Sequence, residues 1–169
     1  QDVKATTCVY DGLSRESLHD VMCLVAKIRD TNDWERYMIW RKQGMPGIGT
    51  LHPDFLFIGE RYNHNSPYQV TFWSKSGEYL FRALHDAQVN LRSCHFTNSI
   101  NAEIEPITAK QINILRPRKV ICLGEVAYEH VSKLRLHHRI VKIPHPAYWS
   151  RFQSSYKNDY VKMLREVCT

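Results

Sequence analysis

The sequence predicts an α/β fold, a three-layer α/β/α sandwich around a central four-stranded parallel sheet. Short apolar runs without polar alternation recur along the chain, and such runs are typical of strands buried on both faces. Segments with apolar residues at helical spacing lie between them. Strands that alternate with helices in this way favour a parallel sheet covered on both sides. The length of 169 residues suits one compact domain.

The N-terminal part of the chain precedes this pattern. Ser14 can cap a helix over residues 15–29, whose apolar residues recur on one face. The segment after this helix is irregular and holds several glycine and proline breakers. We therefore predict one domain over residues 1–169, in which an N-terminal helix and irregular segment (1–52) precede the core (53–169).

Within the core, strands and helices follow one another in strict alternation. The four predicted strands cover residues 55–58, 93–97, 120–123 and 139–143. The four predicted helices cover residues 76–87, 107–115, 126–134 and 155–167. A polar loop from Glu60 to about Thr71 separates the first strand from the first of these helices.

Parallel sheets of this kind bind ligands at the carboxyl ends of their strands, so the residues after each strand are the first candidates for a site. They are Gly59, Glu60, Arg61, Tyr62 and His64 after the first strand, Asn98 after the second, Gly124 and Glu125 after the third, and Pro144, His145 and Pro146 after the fourth. An asparagine amide offers a donor and an acceptor to the edge of a flat heterocycle, and aromatic rings offer a stacking face. Each residue also has a purely structural interpretation, such as core packing for an aromatic ring or a turn for Asn98.

Charge is distributed unevenly along the chain, whose formal net charge is +6. Residues 1–109 carry 11 basic and 13 acidic side chains, whereas residues 110–169 carry 12 basic and 4 acidic ones. A basic C-terminal third predicts a polyanionic partner, with nucleic acid as the first candidate. The alternative is a solvated basic surface without a partner.

The cysteines and histidines give little sign of a metal or disulfide framework. The five cysteines are odd in number and contain no C-x-x-C pair, so neither a disulfide scaffold nor a cysteine zinc site is expected. His137 and His138 would point to opposite faces of an extended segment, so we predict no metal site. No apolar stretch approaches the roughly 20 residues that span a bilayer. We expect an intracellular monomer without a membrane contact.

Five segments carry a more specific pattern. In chain order they are Pro46-Gly47-Ile48-Gly49 with Phe57-Ile58-Gly59-Glu60, then 71–77, then Phe96-Thr97-Asn98, then Val120-Ile121-Cys122-Leu123-Gly124, then His145-Pro146-Ala147 with Arg151. In order and spacing they resemble the motifs of the uracil-DNA glycosylase superfamily, and most closely its family-4 type. There the corresponding motifs read G-E-A-P-G, P-F-V-G-R-A-G, I-T-N, P-x-x-(apolar)-L-G and H-P-S-x-x-L-R.

This resemblance implies a monofunctional hydrolase of base-excision DNA repair. Its substrate would be uracil, or a 5-substituted uracil, flipped out of single- or double-stranded DNA. The base-binding residues it implies are Gly59, Tyr62, Phe72 and Asn98. The catalytic residues it implies are Glu60, His64 and His145. The DNA-contacting residues it implies are Arg61, Tyr148 and Arg151, and we expect the basic C-terminal third to contact phosphates beside the loop that carries the last two.

The departures from the family pattern leave other functions open. Family 4 holds an iron–sulfur cluster on four cysteines, two of them in a close pair, but here 14 residues separate Cys8 from Cys23. We therefore predict neither a cluster nor any other cofactor. Arg61 stands where other branches carry an Asp or Asn that positions water, and a guanidinium suits an anion better. The alternatives are other nucleobase or nucleotide chemistry, and a catalytically silent module that binds DNA or protein.

Overall fold

A computed structural model describes residues 47–61, 75–101, 105–148 and 157–169. The described elements, in chain order, are β1 (Ile48–Gly49), β2 (Phe55–Arg61), α1 (Lys75–Asp86), a short 3-10 helix (Leu91–Ser93), β3 (Cys94–Asn101), β4 (Glu105–Pro106), α2 (Ala109–Leu115), β5 (Lys119–Leu123), α3 (Glu125–Ser132), β6 (Arg139–Ile143) and α4 (Lys157–Val167). The predicted helix at 15–29 lies outside the described residues. None of the described helices is both long and apolar enough to cross a membrane.

The described strands form one sheet in the order β1-β3-β2-β5-β6, with β4 also paired to β3. Strands β3, β2, β5 and β6 are mutually parallel, which confirms the predicted four-stranded parallel sheet. Strands β1 and β4 run antiparallel to β3 and are not predicted from the sequence. Each has only two residues, which is too short to produce a recognisable periodicity.

The central strand β2 separates two apolar layers. Phe55 and Phe57 belong to a core cluster that also contains residues of α1 and α4. Leu56 and Ile58 belong to a second cluster, with residues of α2 and α3. Because successive side chains of a strand point to opposite faces, this division makes the three layers of the predicted sandwich. Full burial of each of these side chains contributes about 1.5–3 kcal/mol, which explains why the segment has no polar alternation.

Two strands are longer than the sequence pattern predicts. Strand β2 continues to Arg61, which pairs with Ile100, so Glu60 lies in a strand and not in the predicted loop. Strand β3 begins at Cys94 and continues to Asn101, so Asn98 lies inside the strand and not after its end. The prediction failed here because backbone pairing continues through polar residues that interrupt the apolar run.

The helix before β5 has defined caps at both ends. The Thr108 side chain accepts a hydrogen bond from the Gln111 backbone N–H, and the Gln111 side chain accepts one from the Thr108 N–H. This capping box starts α2 two residues later than predicted. At the other end Arg116 has a left-handed φ of 49° and is followed by Pro117, which stops the helix.

Gly49 is required by the close approach of β1 to β3. Its φ is +118°, and a Cβ atom at this position would lie only 2.3 Å from the carbonyl oxygen of Cys94. The sequence suggests a flexible breaker at this residue, but the structure places it in a strand, paired with His95. The absence of a side chain therefore matters for packing as well as for backbone conformation.

We expect Gly49→Ala to lower the free energy of unfolding by about 2 kcal/mol or more, because the new methyl group combines backbone strain with a clash against backbone atoms. Urea titration followed by circular dichroism measures this. Gly124→Ala is the matched control: its φ is +98°, but its added Cβ would meet a side chain at 3.3 Å. Equal losses in the two variants would contradict the role of the close approach.

His95 is a buried histidine that ties β3 to the segment after β1. Its Nδ1–H donates to the carbonyl oxygen of Thr50 at 2.8 Å, and the side chain is 1% exposed. Burial lowers the pKa of His95 from 6.5 to about 4, although backbone hydrogen bonds oppose the shift. The imidazole is therefore neutral in the folded protein at neutral pH.

Because the unfolded chain protonates His95 near pH 6.5 and the folded protein only near pH 4, protons favour unfolding between these values. We expect this residue to reduce the free energy of unfolding by about 3 kcal/mol between pH 7.5 and pH 4. Urea titrations at several pH values, on the wild type and on His95→Gln, isolate its contribution as the difference in pH dependence. Identical pH dependence in both proteins would show that the proton uptake lies elsewhere.

Candidate active site

The carboxyl ends of β2, β3, β5 and β6 lie along one edge of the sheet, since these strands are parallel. Gly59 of β2 pairs in register with Asn98 of β3. Both are buried, and Asn98 is only 5% exposed. Because Gly59 has no side chain, the amide of Asn98 is the group of this pair that can form hydrogen bonds with a ligand.

Glu60, the next residue of β2, has a fixed backbone and an exposed side chain. Its carbonyl oxygen accepts a hydrogen bond from the Ser99 hydroxyl at 2.5 Å, which links it to β3. Ser99 is fully buried, so this bond is shielded from solvent. The arrangement holds the Glu60 backbone against the sheet while its carboxylate faces solvent.

At the end of β5, Gly124 brings the chain close to the segment that follows β6. Its N–H donates to the carbonyl oxygen of Ile143 at 2.8 Å. A Cβ at this position would lie 3.3 Å from Cβ of His145, tighter than an ordinary van der Waals contact. The absence of a side chain at Gly124 therefore leaves space for the side chain of His145.

His145 is held in one orientation and one tautomer. Its Nδ1 accepts a hydrogen bond from the backbone N–H of Ala147 at 3.0 Å, and its carbonyl oxygen accepts one from the N–H of Tyr148 at 3.1 Å. When the ring is neutral, an Nδ1 that accepts leaves the proton on Nε2, which is then a donor. The side chain is half-buried.

Burial lowers the pKa of His145 below its ordinary value of 6.5, and the negative charge of Glu60 offsets part of this shift. The imidazole is therefore neutral at neutral pH. The ends of β2 and β6 lie along the same edge of the sheet, with β5 between them, so the charge of Glu60 acts on the ring of His145 from a neighbouring part of that edge.

Tyr160 of α4 supports the same loop from the core. Its hydroxyl donates to the carbonyl oxygen of Pro144 at 2.9 Å, and the residue is fully buried. Its ring packs against that of Tyr79 on α1, with the ring centroids 5.6 Å apart. The sequence gives no sign of this role, because a tyrosine on the apolar face of a helix is expected in any core.

Comparison with known protein families covers the same part of the chain as this site. A model of the Uracil DNA glycosylase superfamily matches residues 46–167, which is most of the chain. This chain belongs to the uracil DNA glycosylase superfamily.

The fold agrees with that of a solved protein from Methanosarcina acetivorans, whose solution NMR structure carries a provisional uracil DNA glycosylase name. The two chains are 12% identical with a TM-score of 0.52, and the match covers 73% of this chain and 96% of the other. At this identity the likeness concerns the fold. No curated protein matches the chain.

Among the residues that the superfamily resemblance implies, the structure describes the side chains of Glu60, Asn98, His145 and Tyr148, and the backbones of Gly59 and Arg61. It places Gly59 beside Asn98 in register, and the charge of Glu60 raises the pKa of His145. Tyr148 is 52% exposed, three residues after the histidine. The remaining predicted site residues, Tyr62, His64, Phe72 and Arg151, lie outside the described residues.

Several described basic residues of the C-terminal third lie away from this edge, whereas the loop that carries Arg151 lies outside the described residues. Arg118 and Lys119 precede or begin β5, and Arg139 begins β6, so they lie at the amino ends of the strands. Near the carboxyl ends, Lys142 is ion-paired with Glu125. A count along the sequence could not separate the two ends of the sheet.

The coupling of His145 to Glu60 can be measured directly. We expect the imidazole of His145 to titrate below pH 6.5 in an NMR titration, and Glu60→Gln to lower its midpoint further, because the substitution removes the nearby negative charge. Glu129→Gln removes an exposed carboxylate from α3 and serves as the control. A midpoint that Glu60→Gln raises or leaves unchanged would contradict the proximity of the two groups.

Proposed function

We propose that this protein hydrolyses the N-glycosidic bond of uracil, or of a 5-substituted uracil, flipped out of DNA. One observation carries the proposal: a neutral His145, held as an Nε2–H donor, stands at the same sheet edge as the buried amide of Asn98. Membership of the uracil DNA glycosylase superfamily supports the reaction class.

Cleavage of the N-glycosidic bond leaves positive character on the sugar and negative charge on the departing base. A donor aimed at the base before the reaction stabilises that charge without reorganising in the transition state. His145 would donate from Nε2 to the O2 carbonyl of the pyrimidine. Its bond to the Ala147 N–H fixes the ring, so the donor is oriented before the base arrives.

Asn98 would select the base. Its amide N–H₂ would donate to O4 of uracil, and its amide oxygen would accept from N3–H. Cytosine presents the opposite pattern at these two positions, so the same amide would leave its groups unpaired. Asn98 is buried in the middle of a paired strand, which keeps this recognition rigid.

The remaining roles follow from the superfamily resemblance. The exposed Glu60 carboxylate, or His64, would orient the attacking water. Phe72 would stack on the base beside Tyr62, with the backbone of Gly59 lining the pocket. Arg61, Tyr148 and Arg151 would contact the DNA strand around the flipped nucleotide. DNA is thus the partner, and the chemistry needs no cofactor.

The decisive variants are Asn98→Asp and His145→Ala. A carboxylate cannot donate to O4, and the alanine removes the donor to O2, so we expect each to lower the rate of uracil excision by about 100-fold or more. Single-turnover excision from single- and double-stranded uracil oligonucleotides, developed with alkali, measures this. Asn113→Asp, on the exposed side of α2, makes the same chemical change away from the site.

The same experiment separates the other classes of function. Unchanged excision by Asn98→Asp would refute the site assignment. Binding of uracil DNA without cleavage by the wild type would mean a silent binding module. Binding of a free nucleotide without binding of DNA would mean other nucleobase or nucleotide chemistry.

A further inference from the structure

The amino ends of β5 and β6 carry a group of exposed cations that the candidate active site does not use. Its members, which we call the amino-end basic surface, are Arg116, Arg118, Lys133, Arg135 and Arg139. All five side chains are exposed. They come from three stretches of chain that the fold brings to one end of the sheet.

The topology explains why they converge. Helices α2 and α3 pack on the same face of the sheet and run back from the carboxyl edge to the amino edge. Each therefore ends beside the start of the next strand, so the chain after α2 delivers Arg116 and Arg118, and the chain after α3 delivers Lys133 and Arg135. Lys119 and Arg139, the first residues of β5 and β6, are register partners.

Among the residues that the structure describes, this positive charge is poorly compensated. The sequence has no Asp or Glu between residues 106 and 124 or between 130 and 148. Arg118 lies 3.9 Å from Asp54, a wide and solvent-exposed pair worth little energy. Burial lowers the pKa of Lys119, and the charges of Arg139 and Arg118 lower it further, which reports the crowding of cations at this end.

Two of the arginines occupy positions that glycine would fill with less strain. Arg116 and Arg135 have φ values of 49° and 53°, in the left-handed region that follows many helices. A side chain in this conformation costs on the order of 1 kcal/mol relative to glycine. The helix dipole favours a cation at the C-terminal end of a helix and offsets part of that cost at both turns.

The basic surface is separate from the candidate active site. Strand β5 alone places about 13 Å of buried backbone between its first and last residues. A nucleotide bound at the carboxyl edge therefore lies on the far side of the sheet from the amino ends of the same strands. A ligand of the basic surface is therefore a second segment.

We propose that the amino-end basic surface binds the phosphate backbone of a second DNA segment while the carboxyl edge engages the substrate strand. The binding of a substrate DNA strand at the carboxyl edge rests on the proposed function, whereas phosphate binding at the amino-end basic surface does not. Guanidinium groups pair with phosphate oxygens in a bidentate fashion, and four of the five cations are arginines.

The surface chemistry favours nucleic acid over an acidic protein. Protein interfaces depend on buried aromatic or aliphatic anchors, whereas a phosphate backbone requires only cations and hydrogen-bond donors. Among the described residues, the exposed large hydrophobic side chains are Val126 and Tyr148, and both lie near the carboxyl edge. The amino-end basic surface thus offers charge without an apolar anchor.

The test is the salt dependence of binding to a uracil-free duplex, measured by fluorescence anisotropy. We expect Arg116→Gln with Arg139→Gln to weaken binding by about tenfold at low salt and to reduce the slope of log K against log salt by about 1.8. Arg82→Gln with Lys162→Gln removes the same charge from exposed positions on α1 and α4 and should have a smaller effect. Thermal melts confirm that both double variants fold.

Equal affinities and slopes in the two double variants would overturn the proposal. So would displacement of the duplex by polyglutamate at the same charge concentration as by competitor DNA, since the surface would then take acidic polypeptides. Uracil excision from a saturating short oligonucleotide should be unchanged in the Arg116, Arg139 variant. If the protein excises no uracil at all, the proposed function fails, but the binding comparison still decides the second contact.

Discussion

The register of β2 on its two neighbours is the constraint on which the site depends. Phe55 to Ile58 are buried in alternation against opposite layers, and the same register sets Gly59 against Asn98. A slip of one residue would move every side chain of β2 to the wrong face, at a cost of several buried apolar groups. The packing of the hydrophobic core therefore fixes which polar groups meet at the carboxyl edge.

His145 depends on the core in a different way. It follows β6, and three other residues determine its position. Gly124 leaves space for its side chain, the Ala147 N–H fixes its ring, and the Tyr160 hydroxyl binds the carbonyl oxygen of Pro144. Tyr160 lies among the buried residues between α1 and α4. The packing of that layer and the orientation of His145 are consequently linked through the hydrogen bond from Tyr160 to Pro144.

The parallel strands could be predicted because burial on both faces of the sheet produces an uninterrupted apolar run in the sequence. Most helices could be predicted because their apolar residues recur at helical spacing. Glu60 and Asn98 could be found as candidates but were misplaced relative to the strand ends, because backbone pairing does not require apolar side chains. The two-residue strand at Gly49 and the support from Tyr160 were missed, since both depend on distances across the fold. The count of basic residues along the sequence does not show that Arg118, Lys119 and Arg139 lie at the amino ends of the strands.

The location of the charge bears on the chemistry of the site. A cation next to His145 would lower its pKa further, whereas the charge of Glu60 raises it and Lys142 is ion-paired with Glu125. The arginines at the amino ends lie beyond roughly 13 Å of strand, more than the screening length of about 8–10 Å at physiological salt. Burial and the charge of Glu60 are accordingly what shift the pKa of His145, and the arginines at the amino ends do not contribute to that shift.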